Sequence, residues 1–289
     1  MNLIEITDID APQLDVFVRK TERELRTCNA PDEGLFMAES AYVIRLALEK
    51  GYEPCEMLVE KGRLDIEAAP VLEAVRQYCG DKVADSLPVY VAEHELVMNM
   101  RGYALVRGLW MTMRRKPEIS VEEFCKDKSR IAVLIDVVSP TNVGAIIRTA
   151  AALGMDGVLL THASVDPLTR RTSRVSMGTV FQIPWVQASL EDSNGLDLVN
   201  RLSSYGFKTV AMALTEDSTS VDSDEIRSNE KVAVLLGTEG TGLPKDVINS
   251  CDYRVMIPMF HEVDSLNVGA AAAISFWELM KDRKDNQAL

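Results

Sequence analysis

Ile131-Ala132-Val133-Leu134-Ile135-Asp136-Val137-Val138, followed by Ser139-Pro140-Thr141-Asn142-Val143-Gly144, is the stretch on which the fold turns. A run of apolar residues without alternation predicts a strand covered on both faces, which is how a strand reads inside a parallel sheet sandwiched by helices. The residues after it read as a loop and then as a helix over Ala145–Leu153, closed by Gly154, with Asn142 a natural N-cap. Four further apolar runs repeat the pattern at Gly157–Thr161, Thr209–Leu214, Val232–Gly237 and Arg254–Met259, with helical segments between most of them. An α/β domain built on a parallel sheet is therefore expected over 131–289.

Upstream of this stretch the alternation is on a smaller scale. Helices are expected at Ala38–Glu49, Ile66–Tyr78 and His94–Met100, and extended segments at Cys55–Val59 and Pro88–Val91. Between Lys116 and Arg130 the pattern breaks at Pro117 and in the charged run Glu122–Lys128, which suits a linker with one helical turn. The expected division is a small α/β domain over 1–116, a linker over 117–130 and the larger domain over 131–289. A length of 289 residues exceeds the usual single core, in keeping with two domains that need neither disulfides nor metal to fold.

Composition narrows the function classes. The apolar run Ala270–Phe276 is too short to cross a bilayer, so no membrane span is expected. The N-terminus carries acids where a secretory signal needs a basic start, and the reading is cytoplasmic. Cys28, Cys55, Cys79, Cys125 and Cys251 are scattered without a Cys-x-x-Cys pair, and the three histidines lack ligand spacing, so neither a disulfide framework nor a metal site is indicated. The net charge of −13 argues against a non-specific nucleic-acid binder and confines any RNA contact to local clusters. Such clusters occur at Arg170, Arg171 and Arg174 in a loop-like segment, at Arg114, Arg115 and Lys116, and on a helix with Arg19, Lys20, Arg23 and Arg26. In the last of these Glu22 and Glu24 interleave, and a solvated face is the better reading.

Ligands of open parallel sheets gather at the carboxyl ends of the strands, and three strand-to-loop junctions carry candidate chemistry. The first holds Asn142 and, within the helix, Arg148, which falls opposite the apolar face of Val143, Ile146, Ile147, Ala150 and Leu153. Taken alone it reads as a solvated arginine. The second is Gly237-Thr238-Glu239-Gly240-Thr241-Gly242-Leu243-Pro244, whose glycines let a ligand approach the backbone. It lacks the Lys and Ser/Thr of a phosphate loop, and Glu239 would repel phosphate, so a cationic or hydroxyl-bearing ligand fits better; a plain turn leading to a helix at Pro244 is an equal alternative. In the third, Val255-Met256-Ile257-Pro258-Met259 runs on to Asp264-Ser265-Leu266-Asn267-Val268-Gly269, ahead of a helix rich in small residues. Alone, Ser265 reads as a turn residue and Asn267 as a helix cap.

Taken in order and spacing, these motifs resemble the SpoU-type, TrmH-like ribose methyltransferases of the SPOUT superfamily. The resemblance rests on Asn142, Gly144 and Arg148, then Gly237, Glu239 and Gly242, then Ile257–Met259 with Ser265–Val268, supported by Arg174–Gly178 and Pro184. It covers the chain from about Ile131 to Met280. One departure is Gly269, where a serine is usual, and its effect is expected in helix packing more than in chemistry.

The resemblance, not the periodicity, implies a trefoil knot at the carboxyl end of the larger domain. It also implies S-adenosylmethionine held mainly by backbone at Gly237, Ile257 and Leu266, and a homodimer through the methyltransferase domain. Arg148 is implied as the catalytic residue. A guanidinium resists acting as a base, so it is expected to stabilise a developing alkoxide, with an RNA phosphate taking the proton. Asn142 would orient Arg148 or the ribose, while Glu239, Ser265 and Asn267 fix the loop and the substrate. The N-terminal unit, Phe36–Arg115, resembles a ribosomal-protein-like RNA-binding domain, and with it structured ribosomal RNA becomes the expected substrate. The alternatives are a tRNA ribose methyltransferase, a base methyltransferase of the same superfamily, and an inert RNA-binding or assembly protein.

Overall fold

The computed structural model describes residues 2–27, 34–100, 108–190, 195–261, 263 and 265–281; Cys28 and Asp264 lie outside them. The chain separates into two units, 1–117 with 168–182, and 118–167 with 183–289.

The first unit is built on five strands, β1 (Asn2–Ile6), β2 (Leu35–Glu39), β3 (Pro54–Glu60), β4 (Pro88–Ala92) and β5 (Leu109–Arg114), in the order β1-β4-β3-β5-β2. The strands β1, β4 and β3 run parallel, and β5 is antiparallel to both β3 and β2. Sequence periodicity leaves β1, β2 and β5 unassigned. The strand β2 is buried at every position, so it shows no alternation, and it joins the Ala41–Glu49 helix through a single residue, Ser40, held at φ +82°. Strand and helix therefore read as one apolar segment beginning at Ala38. The expected helices at Ile66–Tyr78 and His94–Met100 are found as Ala69–Cys79, preceded by a short π turn, and His94–Asn99.

Residues 168–182 fold with this first unit, although they lie far along the chain. The segment read as a loop carrying Arg170, Arg171 and Arg174 is a helix, Arg170–Val175, followed by a 3-10 turn at Thr179–Phe181. Phe181 stacks against Phe36 and Tyr52, with centroids 5.7 and 5.1 Å away. Gly178 approaches the Ala41–Glu49 helix so closely that an added Cβ would lie 2.8 Å from Leu46 Cδ1.

The second unit carries β6 (Arg130–Leu134), β7 (Gly157–Leu160), β8 (Trp185–Gln187), β9 (Lys208–Met212), β10 (Thr219–Ser220), β11 (Val232–Leu236) and β12 (Tyr253–Met256). They form one sheet in the order β10-β12-β9-β11-β6-β7-β8, every pairing parallel. The expectation of a doubly covered parallel sheet holds: β6, β7 and β11 are buried at every residue. The first strand ends at Leu134; the Ile135 N–H still donates to the Leu236 carbonyl at 2.9 Å, and the chain turns at Asp136, in the left-handed region at φ +54°.

The stretch expected to be a linker, 117–130, does not behave as one. Val121–Cys125 is a helix whose N-cap, Ser120 Oγ, accepts from the Glu123 N–H at 3.1 Å. Val121, Phe124 and Cys125 are buried in the core of the second unit, where Phe124 lies against Gly157. The charged residues that suggested a linker occupy the outer face of this helix. Their apolar partners sit at i, i+3 and i+4, a spacing too short to register over five residues.

Candidate active site

Three loops at the carboxyl ends of β9, β11 and β12 enclose a cavity of about 540 Å³. Its walls come from Met212–Leu214, Gly237–Leu243 and Ser265–Val268. A smaller lobe of about 140 Å³ shares Met212, Leu214, Ser265 and Leu266 and adds Val255, Met256, Ile257 and Met259. Of the expected cofactor contacts, Gly237 and Leu266 line the main cavity, while Ile257 and Leu266 line the smaller lobe.

The glycine-rich loop folds back on itself. The Gly242 N–H donates to the Thr238 carbonyl at 3.0 Å, and these two residues form an isolated antiparallel bridge. That closure brings the Gly242–Leu243 peptide against Gly237, where a Cβ would lie 2.3 Å from the Gly242 carbonyl carbon. Position 237 can therefore hold only glycine without moving the loop. Gly242 itself sits at φ +66°, a conformation glycine adopts freely.

Glu239, Asn142 and Asn267 meet at the mouth of this loop. Asn142 Nδ2 and Asn267 Nδ2 both donate to Glu239 Oε1 at 2.6 Å. With its Nδ2 donating to Glu239, the Asn142 amide has its Oδ1 left to accept from Asn267 Nδ2 at 3.1 Å. Residues 125 apart in sequence are thereby joined through one carboxylate. Asn267 is also the cap of the Val268–Leu279 helix, its Oδ1 accepting from the Gly269 N–H at 2.9 Å. The cap reading of Asn267 therefore holds, and the same side chain also joins the Glu239 cluster.

Asn142 is not the N-cap expected of it. The helix begins earlier, at Pro140, and Ser139 Oγ caps it by accepting from the Asn142 N–H at 3.4 Å. Proline at the first helical position loses nothing, since that N–H has no partner in a helix. The side chain of Asn142, buried at 5% exposure, is free to serve Glu239 instead. Gly269 lies where this helix meets the Val268–Leu279 helix; a Cβ there would be 3.1 Å from Asn267 Oδ1 and 3.4 Å from Ala145 Cβ.

Arg148 stands apart from this cluster. It is exposed, makes no ion pair or hydrogen bond among the described residues, and does not line either lobe of the cavity. The wall the sequence reading missed is Met212-Ala213-Leu214. The signal was present, since this tripeptide ends an apolar strand and the carboxyl ends of parallel strands are where ligands gather, but it holds no polar side chain to draw notice.

The cationic trio is divided by the fold. Arg170 is only 10% exposed; its backbone N–H donates to Glu22 Oε1 at 3.0 Å and its Nη1 lies 3.4 Å from Met37 Sδ. Arg174 stays half-exposed, 3.6 Å from the buried carboxylate of Glu39, and Arg171 is exposed. Among the described residues no cluster of three His, Cys, Asp or Glu could hold a metal ion, and no helix is long and apolar enough to cross a membrane.

Comparison with known proteins bears on the same region. The model of the SpoU rRNA Methylase family matches residues 129–277. Over 279 residues the chain is 30% identical to an uncharacterised tRNA/rRNA methyltransferase of Mycobacterium bovis, spanning 96% of this chain and 92% of that protein. The solved structure of an AdoMet-bound rRNA methyltransferase from Sinorhizobium meliloti aligns with a TM-score of 0.76 at 22% identity, over 97% of this chain and 98% of that one. For the SpoU methyltransferase AviRb from Streptomyces viridochromogenes the TM-score is 0.72 at 24% identity, over 95% and 97% of the two chains. At these identities the two structures speak for the fold.

Proposed function

This chain belongs to the SpoU rRNA Methylase family, and on that premise we propose that it transfers the methyl group of S-adenosylmethionine to a ribose 2′-hydroxyl of ribosomal RNA. The observation that carries this reading is the cavity at the ends of β9, β11 and β12, with Glu239 anchored at its mouth by Asn142 and Asn267. Its volume falls within the roughly 300–1,000 Å³ of small-molecule sites. Its lining suits the ligand: exposed backbone, the Met212–Leu214 wall and one carboxylate favour a cationic, partly apolar molecule over a nucleotide phosphate. Gly237, Ile257 and Leu266 would hold the cofactor, which when bound supplies an electrophilic methyl on a sulfonium.

The chain's own residues then have two tasks. The first is to present the ribose oxygen in line, within a few ångströms of the methyl; we assign to Asn142, Glu239 and Asn267, joined at the loop mouth, and to Ser265 on the cavity wall the task of fixing the loop edge over which the substrate would pass. The second is to favour alkoxide character at that oxygen. We assign it to Arg148, as a fixed positive charge and not as a base, with an RNA phosphate accepting the proton. Because Arg148 does not line its own chain's cavity, this role fits a homodimer through the methyltransferase domain, in which the Val268–Leu279 helix covers its exposed Ile274 and Trp277. The deep trefoil knot of the superfamily belongs to the same proposal, as does RNA binding by the first unit.

The test is methyl transfer from S-adenosylmethionine carrying a labelled methyl to ribosomal RNA and to tRNA, followed by alkaline hydrolysis. Label in hydrolysis-resistant dinucleotides of ribosomal RNA is the expected result. Label in a base, or in tRNA alone, would replace the target. Cofactor binding with no transfer to any cellular RNA would favour an assembly role.

A further inference from the structure

The turn between β6 and the Pro140–Leu153 helix holds Asp136 at φ +54°, a region uncommon for side-chain-bearing residues, in which Asp is among the few tolerated. Two hydroxyls lock it there. Thr161 Oγ1 accepts from the Asp136 N–H at 2.9 Å and donates back to Asp136 Oδ1 at 2.8 Å. Ser164 Oγ accepts from the Val137 N–H at 3.0 Å and donates to the Leu134 carbonyl at 3.1 Å. Beneath them Gln187, at the end of β8, donates through Nε2 to the carbonyls of Ser164 at 2.8 Å and His162 at 3.3 Å, fixing the loop that carries both hydroxyls. Thr161, Ser164 and Gln187 are all buried, and none lines the cavity.

What this network holds leads to the site. Three residues beyond Asp136, Ser139 caps the helix, and Asn142 in its first turn reaches Glu239 and Asn267. Unsupported, Asp136 would relax toward negative φ, and the direction in which the chain leaves β6 would change with it. A strained residue persists only where its surroundings over-determine it, and here three side chains from two neighbouring strand ends do so.

We propose that Thr161, Ser164 and Gln187 are positioning residues that hold Asp136 left-handed, so that Asn142 is delivered to the Asn142–Glu239–Asn267 cluster. Only the activity arm of the test below rests on the methyltransferase reading; the structural arm does not.

Thr161→Val removes the hydroxyl at nearly constant volume, Thr161→Ser retains it, and Asp136→Gly removes the need for it, because glycine adopts positive φ without strain. The side-chain amide of Asn142, followed by nitrogen-15 NMR of the full chain, reports directly on its contact with Glu239. Thr161→Val is expected to shift or broaden that signal and to speed exchange of the Asp136 amide. It should also lower kcat on the order of tenfold or more, with KM for S-adenosylmethionine little changed, as misplacement at a reacting centre does. Thr161→Ser should match the wild type, and the Asp136→Gly, Thr161→Val double variant should recover the Asn142 signal. Should Thr161→Val not fold, Ser164→Ala carries the same expectations. An unmoved Asn142 signal in the valine variant overturns the proposal whatever happens to kcat, and so does a serine variant as damaged as the valine one. A wild type that methylates no RNA, with the Asn142 signal still responding, overturns the activity assignment and leaves the positioning role standing.

Discussion

Arg148 is the residue to which we assign stabilisation of the alkoxide, and the site geometry leaves it outside the cavity. Exposed and without a partner among the described residues, it contributes little to folding, so its removal separates catalysis from stability. Arg148→Ala is expected to lower methyl transfer by on the order of a thousandfold, the scale of losing one preorganised charge contact, with cofactor affinity by calorimetry almost unchanged. Arg148→Lys should recover little, since a point charge does not replace a planar guanidinium. Turnover near normal in the alanine variant would remove Arg148 from the mechanism. Two cysteines test burial in a different way. Burial pushes the Cys125 and Cys251 thiols up to about 11. A thiol whose folded pKa is raised stabilises fully below its unfolded value of about 8.5, and the stabilisation is lost as pH rises from there toward 11. The thermal unfolding temperature should therefore fall above about pH 8.5, and a Cys125→Ala, Cys251→Ala chain, though less stable at neutral pH, should show a shallower alkaline slope. Equal slopes would mean that these thiols are not shielded.

At the scale of elements, the Pro140–Leu153 helix turns Asn142 and Arg148 of one chain to different sides. Six residues at about 100° each place them roughly 120° apart around the axis and about 9 Å apart along it. With Asn142 turned to Glu239, Arg148 faces elsewhere, and the proposed dimer is what gives it a target. The Gly237–Leu243 loop makes the complementary test possible. Gly237→Ala places a methyl 2.3 Å from a backbone carbon, so the loop must open, and cofactor affinity is expected to fall at least tenfold, about the effect of an ångström-scale misfit. Mixing Gly237→Ala chains with Arg148→Ala chains should restore part of the activity that each lacks alone, because one intact cavity and one intact arginine can then meet. No recovery, with mixed dimers verified by mass, would place both residues in the same chain's site.

For the whole molecule, the interleaving of the chain between the two units decides where it can be cut. Removing residues up to 125 would strip Val121, Phe124 and Cys125 from the core of the second unit, so that cut should give an insoluble product. A chain beginning at residue 118 keeps this helix but leaves Leu168, Val180 and Phe181 without the unit they are buried in. It is expected to bind cofactor, to bind apolar dyes and self-associate, and to lose most RNA affinity; the added change Phe181→Ser should relieve the association. Undiminished RNA affinity in this shortened chain would take RNA recognition away from the first unit. In the full chain the salt dependence should be shallow, about 0.7 to 0.9 in log–log slope per phosphate neutralised, because a net charge of −13 confines RNA contact to a few local cationic clusters. Arg170 should not count among them, being occupied with Glu22 and Met37.

Some of this was legible in order and spacing alone. Unalternating apolar runs named the parallel sheet, because a strand buried on both faces has no polar side to show. The motifs that identified the family did so because close backbone approach and helix capping each restrict the residue types allowed, as at Gly237 and Asn267. Other features needed the third dimension. Nothing local marks β2 as a strand, since it is buried throughout and runs straight into a helix, nor the Val121–Cys125 helix as core. Nothing local joins residues 168–182 to the N-terminal unit, because that attachment is made by aromatic contacts with Phe36 and Tyr52 more than a hundred residues away. Asn142 shows the division most clearly: its residue type suggested a cap, and local propensity allowed one. Only the arrival of Glu239 and Asn267 from separate strand ends turned its amide into the pivot of the site, since a buried amide takes whichever partners the tertiary fold brings within 3 Å or so.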